Sequence, residues 1–125
     1  NLCLSGHDGT VALDSFGGKT GTSYIGGGQN LGTTLANDHP VSITYNTALA
    51  TADGSLADPA TAQVTIGTSG NGGRTKTGSI SAIMAPDGKV QCSSCHDVHN
   101  TYTNGASLLV KSNAGSALCL TCHVK

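Results

Sequence analysis

Hydrophobic residues occur along this chain in short runs, separated by glycine and small polar residues. Turn-forming sequences bound these runs, among them ADG at 52–54 and PDG at 86–88. Near the C-terminus, Ser112 or Asn113 is placed to cap a short helix through ALCLTCH. The pattern predicts no long helix before residue 91, and it predicts short strands or extended segments in four runs: 10–13, 41–45, 62–67 and 79–84.

The chain divides by composition at residue 91. Residues 1–91 are rich in Gly, Ser and Thr, whereas residues 92–125 hold four of the five cysteines and three of the five histidines. A length of 125 residues is that of one domain. We therefore predict a single domain over 1–125, mostly irregular and loop-rich, with a few short strands and short helices.

The composition is too poor in large apolar side chains for an ordinary core. Aromatic residues make up 3% of the chain, there is no Trp, and hydrophobic residues total 37%. Since apolar burial offsets the conformational entropy lost on folding, another source of stability is needed. A large rigid cofactor surrounded by small polar residues would supply it.

Charge and hydropathy exclude two classes of partner. The net charge of -1 leaves no basic patch for nucleic acid. No apolar run reaches the length of a membrane span. The start at Asn1 rather than Met leads us to expect a mature form whose export signal has been removed.

Two pentapeptides near the C-terminus are of the type CxxCH: CSSCH, from Cys92 through Cys95 to His96, and CLTCH, from Cys119 through Cys122 to His123. This is the attachment signature of haem c. Positions i and i+3 share one helix face, so two thiols reach two vinyl groups while the histidine binds the iron. A zinc ribbon also uses two CxxC pairs, but it gives no reason for a histidine after each. A redox dithiol would need a βαβ pattern, which is missing from the sequence.

Two further histidines are candidate axial ligands. His99 follows His96 by three positions, too close to reach the far side of the same iron, although it can reach a neighbouring one. His39 precedes Pro40, which restricts it to an extended conformation suited to a ligand from a loop. A hydrogen-bonded or solvated histidine is the alternative at each position.

The stretch CLSGH, residues 3–7, has the length and ends of the same motif, but Gly6 stands where a second cysteine is expected. Cys3 and His7 keep the separation needed for a haem held by one thioether. An odd cysteine in an exported chain is otherwise an exposed thiol.

Together, LCLSGHDGTVA, DHPVS, CSSCHDVHN and CLTCH resemble the multihaem c-type cytochromes with doubled CxxCH motifs. The resemblance covers both ends of the chain and the segment near His39, and it does not extend over residues 46–85. It implies a chain wrapped around stacked haems, with His96 and His123 as proximal ligands and His39 and His99 as distal ligands.

We expect three haem c groups, two at the intact motifs and a third tethered only at Cys3. Three haems have six axial positions, and the chain has five histidines. One iron therefore takes another ligand, such as Met84, the N-terminal amine or a residue of a neighbouring molecule, or stays open. The expected function is electron transfer without catalysis. The alternatives are a multihaem reductase of a small oxyanion, and more remotely a zinc-bound structural module.

The resemblance also implies where the protein works and with what. Covalent haem attachment follows export, so we expect an extracellular or periplasmic location. The expected partners are redox donor and acceptor proteins or extracellular electron acceptors. Related cytochromes assemble into extracellular filaments with haems stacked through successive subunits, so a homopolymer of this chain is a further expectation.

Overall fold

The computed structural model describes residues 2–68, 74–104 and 106–124. The chain forms two compact units, residues 1–40 and 41–125. The helices and strands are short and most of the described chain is loop, which confirms the loop-rich prediction. The compositional boundary at residue 91 falls inside the second unit, and the single-domain interpretation stays a prediction.

The first unit is built from loops around one helical turn. Its regular elements are the helix α1, Leu4–His7, and a 3-10 turn, Gly27–Gln29. The run at 10–13 was predicted as a short strand or an extended segment, and no strand forms there. The Asp8 carboxylate accepts a hydrogen bond from Thr10 N–H at 2.9 Å, and such local side-chain bonds compete with a strand ladder.

The second unit contains two small antiparallel pairs. Strand β1, Ile43–Thr44, pairs with β4, Lys89–Val90, and β2, Gln63–Gly67, pairs with β3, Thr75–Ser79. The runs at 41–45 and 62–67 are therefore confirmed as containing strands. Along β2, Val64 and Ile66 are buried while Gln63 and Thr65 are exposed, so one face of the strand lies on the core.

The run at 79–84 was predicted to be extended, but it forms the helix α3, Ile80–Ile83. The Ser79 side chain accepts a hydrogen bond from Ala82 N–H at 3.3 Å and caps the first turn. Ile80 and Met84 are both buried, and their spacing of four places them on one helix face. Capping and this spacing outweigh the β-favouring composition.

The other helical segments described in this unit are the helices α2, Thr47–Asp53, and α4, Cys92–Cys95, and three 3-10 turns, of which the first is Ala106–Leu108. Helix α2 begins where Asn46 Oδ1 accepts a hydrogen bond from Leu49 N–H at 2.9 Å, and ends at Gly54 with φ of 70°. The single C-terminal helix predicted after Asn113 is replaced by two 3-10 turns, Ala114–Ser116 and Cys119–Thr121. Gly115 and Ser116 have positive φ, which interrupts the helix.

The hydrophobic core of the second unit is small. It is formed by seven buried residues: Tyr45, Val64, Ile66, Ile80, Met84, Ala85 and Val110. Cys95 and Cys122 are half-buried against it, so one cysteine of each intact motif borders the same core. Among the described residues, none of the helices has the length and apolar character needed to cross a membrane.

Replacing Ile80 by Ala should lower the free energy of unfolding by about 3 kcal/mol, because the side chain is 1% exposed and its removal leaves a cavity. Ile43→Ala is the matched control, since that side chain is 40% exposed and should change stability by at most about 0.5 kcal/mol. Urea unfolding of the haem-loaded proteins measures both. Equal losses at the two positions would contradict the placement of the core.

Candidate functional site

The motif CSSCH lies on the helix α4, Cys92–Cys95. The Ser94 hydroxyl accepts a hydrogen bond from Gln91 N–H at 2.9 Å, which fixes the start of the turn. His96 follows in an extended conformation, and its backbone N–H donates to the carbonyl of Cys92 at 3.0 Å. The helical turn places both cysteines on one face, and the bond from His96 closes it.

The motif CLTCH lies on the 3-10 turn Cys119–Thr121. His123 N–H donates to the carbonyl of Cys119 at 3.0 Å, the same bond as in the previous motif. Residues 55–57 hold this segment, because Ala57 N–H donates to the Cys122 carbonyl at 2.8 Å and Val124 N–H donates to the Ser55 carbonyl at 2.9 Å. The CLTCH motif is therefore held by residues 55–57, which are distant from it in the sequence.

The incomplete motif CLSGH closes with the same hydrogen bond, although His7 is the last residue of α1 and His96 follows α4. His7 N–H donates to the carbonyl of Cys3 at 3.0 Å, equal to the corresponding distances at His96 and His123. Gly6 is not among the glycines with positive φ, so its backbone conformation is open to other residues. The first motif thus lacks the second sulfur but keeps the backbone of the attachment turn.

Backbone carbonyls orient three of the imidazole rings through Nδ1. His7 Nδ1 lies 2.8 Å from the Gln29 carbonyl, and His96 Nδ1 lies 2.7 Å from the Ser107 carbonyl. His39 Nδ1 lies 3.0 Å from the carbonyl of Pro40. A carbonyl only accepts, so in each bond Nδ1 carries the proton and Nε2 keeps its lone pair. Metal-binding histidines are oriented in this way.

All five histidines are exposed on the polypeptide. An axial ligand must present a ring nitrogen to an iron that lies beyond the polypeptide, and an exposed imidazole can do so. Exposure together with an engaged Nδ1 fits axial ligation at His7, His39 and His96.

An aspartate holds His99 in place. The Asp97 carboxylate accepts hydrogen bonds from the backbone N–H groups of His99 at 3.0 Å and of Thr101 and Tyr102, each at 2.8 Å. These bonds, led by the one from Tyr102, hold the pKa of Asp97 below its ordinary value. The loop after the CSSCH motif is therefore held by the carboxylate of the residue that follows the motif histidine in the sequence.

A cavity of about 440 Å³ lies beside this loop. His96 and His99 both line it, and its apolar wall is formed by four side chains: Ile66, Ile83, Val98 and Val110. An open apolar hollow bordered by two exposed imidazoles suits a flat, largely apolar cofactor.

The thiols differ in their surroundings. Burial raises the pKa of Cys95 and of Cys122, whereas Cys3 and Cys119 are exposed. Within residues 2–68, 74–104 and 106–124, no three His, Cys, Asp or Glu side chains converge on a common point that could hold a metal ion.

The predicted site residues fall into both units. Cys3, His7 and His39 lie in the first unit, and the second holds the remaining seven: Cys92, Cys95, His96, His99, Cys119, Cys122 and His123. Met84, considered above as a ligand for the odd iron, is 4% exposed within the apolar core of the second unit. The sequence did not point to the carbonyls of Gln29 and Ser107, because any residue supplies a backbone carbonyl.

Comparison with known proteins agrees with the C-terminal motifs. Residues 85–125 match the family model described as the doubled CXXCH motif. The match covers about a third of the chain. No curated protein matches the chain. The match supports a multihaem c-type cytochrome-like protein, and the doubled motif points to c-type haem binding and electron transfer.

Tyr45→Phe tests how the third motif is held. The Tyr45 hydroxyl donates to the Ala57 carbonyl at 2.7 Å, and its loss leaves that carbonyl without this partner, lowering the free energy of unfolding by about 1–2 kcal/mol. Tyr24→Phe, at a side chain that is 55% exposed, should change it by at most about 0.5 kcal/mol. Denaturant titration of the haem-loaded variants measures the difference, and equal effects would contradict a role for the hydroxyl.

Proposed function

We propose that the chain conducts electrons through three closely packed c-type haems. The observation that supports this best is the shared turn, in which the motif histidine donates to the carbonyl of the first cysteine at 3.0 Å in all three motifs. Two motifs bring a pair of cysteines to that turn, and the first brings Cys3 alone. In each motif the first cysteine thus lies one turn before its histidine.

The proposed ligands follow from position and exposure. His7, His96 and His123 are the proximal ligands, each on the turn that carries its cysteines. His39 and His99 are distal ligands, each for the iron of another haem. With Met84 buried in the core, the sixth position of the odd iron is filled by the N-terminal amine or by a residue of a neighbouring molecule, or it stays open.

Electron transfer is the function that fits such a ligand set. The haem iron supplies a one-electron redox centre, and two axial histidines leave no position for a substrate. What the chain contributes is the spacing of the motifs, the orientation of the imidazoles and the apolar surface against which the cofactors lie.

A reductase of a small oxyanion is the competing function, because five histidines leave one axial position unfilled. Such an enzyme needs cationic side chains around the open iron to bind its anionic substrate. Lys19 is the single Lys or Arg of residues 1–40, where the odd haem would be attached. This low positive charge favours conduction over oxyanion reduction.

We further propose that the protein works outside the cytoplasm, in the periplasm or extracellularly, and exchanges electrons with redox proteins or extracellular acceptors. A homopolymer with haems stacked between copies is also proposed. Large apolar side chains are exposed in each unit, among them Leu2 at 88% and Phe16 at 75% in the first and Val98 at 69% in the second. Such side chains are available for contact with a cofactor or a second copy.

Carbon monoxide binding to the reduced protein tests the ligand set. Because five histidines serve six positions, we expect at most one equivalent of CO per chain. His99→Ala should open one further iron and raise the amount by one equivalent, whereas Val98→Ala, at an exposed neighbouring side chain, should leave it unchanged. Optical titration of the Soret band gives the stoichiometry.

CO binding at every haem of the unaltered protein would contradict the histidine ligation. An unchanged stoichiometry in His99→Ala would remove His99 from the ligand set. Turnover of an oxyanion at the open position would favour the reductase.

A further inference from the structure

We infer that the haem attached at Cys3 retains one unreacted vinyl group and that Leu13 and Ile25 form an apolar seat for it. This inference rests on the proposed attachment at Cys3 and goes beyond it, since it assigns a function to two residues outside every motif.

The evidence begins with the space around Gly6. A Cβ atom added there would lie 3.4 Å from Leu13 Cδ2 and 3.6 Å from Ile25 Cδ1, both ordinary van der Waals distances. A Cβ atom would therefore fit beside these two side chains. In an intact motif this position brings the second thiol to the second vinyl group. Here the aliphatic side chains of Leu13 and Ile25 border the position where that sulfur is missing.

Leu13 is held at this position although its side chain is 60% exposed. Its backbone N–H donates to the Ser23 carbonyl at 2.8 Å, and Ser23 N–H donates to Asp14 Oδ1 at 2.9 Å. Ser15 Oγ accepts a hydrogen bond from Gly21 N–H at 2.9 Å and closes the same loop. These three hydrogen bonds close the loop that carries Leu13 and hold the residue beside α1. The chain itself does not bury the leucine side chain.

The chemistry of attachment explains what this seat would hold. A thiol adds across a vinyl group, its sulfur bonding to one carbon and its hydrogen to the other, so no oxidant is needed and nothing is released. Cys3 consumes one vinyl group. The second keeps its C=C bond in conjugation with the ring, and as an apolar group it gains from contact with aliphatic side chains.

The test is the alkaline pyridine spectrum of the reduced, denatured protein, with the haem count read from the denatured mass. Conjugation with a vinyl group moves the α-band to longer wavelength, so we expect three haems per chain and a long-wavelength component from one of them. Gly6→Cys should remove that component at the same haem count. Ser5→Cys, on another face of α1, should not.

A second variant tests the seat itself. Leu13→Ala should shift the vinyl stretching band in the resonance Raman spectrum, because packing sets the orientation of the vinyl group relative to the ring. Leu35→Ala, a half-buried leucine of the same unit, is the control and should leave the band in place.

The outcomes separate the two proposals. A mass with two haems overturns the attachment at Cys3 and with it the proposed three-haem conductor. Three haems without a long-wavelength component, or a component that persists in Gly6→Cys, overturns the present inference and leaves the conductor intact. An unshifted Raman band in Leu13→Ala overturns the assignment of the seat.

Discussion

The turn between a cysteine and the histidine four positions later is the constraint on which this structure depends. In each motif the histidine N–H donates to the carbonyl of the first cysteine at 3.0 Å, which closes the backbone turn between the two residues. The histidines remain exposed, so the turns direct their ligands outward from the polypeptide. In the proposed conductor, haems bound at these turns would add apolar contact to that of the chain itself.

The two units depend on this arrangement to different degrees. The second unit has seven buried core residues of its own, and a cysteine of each intact motif lies against them. Within residues 2–40, the buried positions are Ala12 and Gly21, while Leu13 and Phe16 are exposed. A unit with so little apolar burial cannot offset its chain entropy from its own side chains. Haem at Cys3 would supply the missing apolar contact, which is why the incomplete motif matters most for the first unit.

The doubled CxxCH motif was predictable from the sequence, whereas less of the local structure was. The strand in 62–67 was predictable because alternating burial matches alternating side chains, as at Val64 and Ile66, whereas the strand in 41–45, with both residues exposed, follows from β-favouring composition alone. The helix at Ile80–Ile83 was not, since its cap at Ser79 and its spacing of buried residues compete with a β-favouring composition. The carbonyl partners of His7 and His96 lie 22 and 11 residues away along the chain, and no side-chain pattern marks them. The doubled motif was predictable because its chemistry requires fixed residue types at fixed spacing.

The most direct measurement is the haem content of the proteolytic peptide that contains Cys3, isolated after denaturing the purified protein. A covalently bound haem on that peptide, in addition to one on each of the peptides with CSSCH and CLTCH, is the result we predict. A Cys3 peptide with a free thiol and no haem would contradict attachment at the incomplete motif. The shared turn would then have no functional consequence at the N-terminus of the chain.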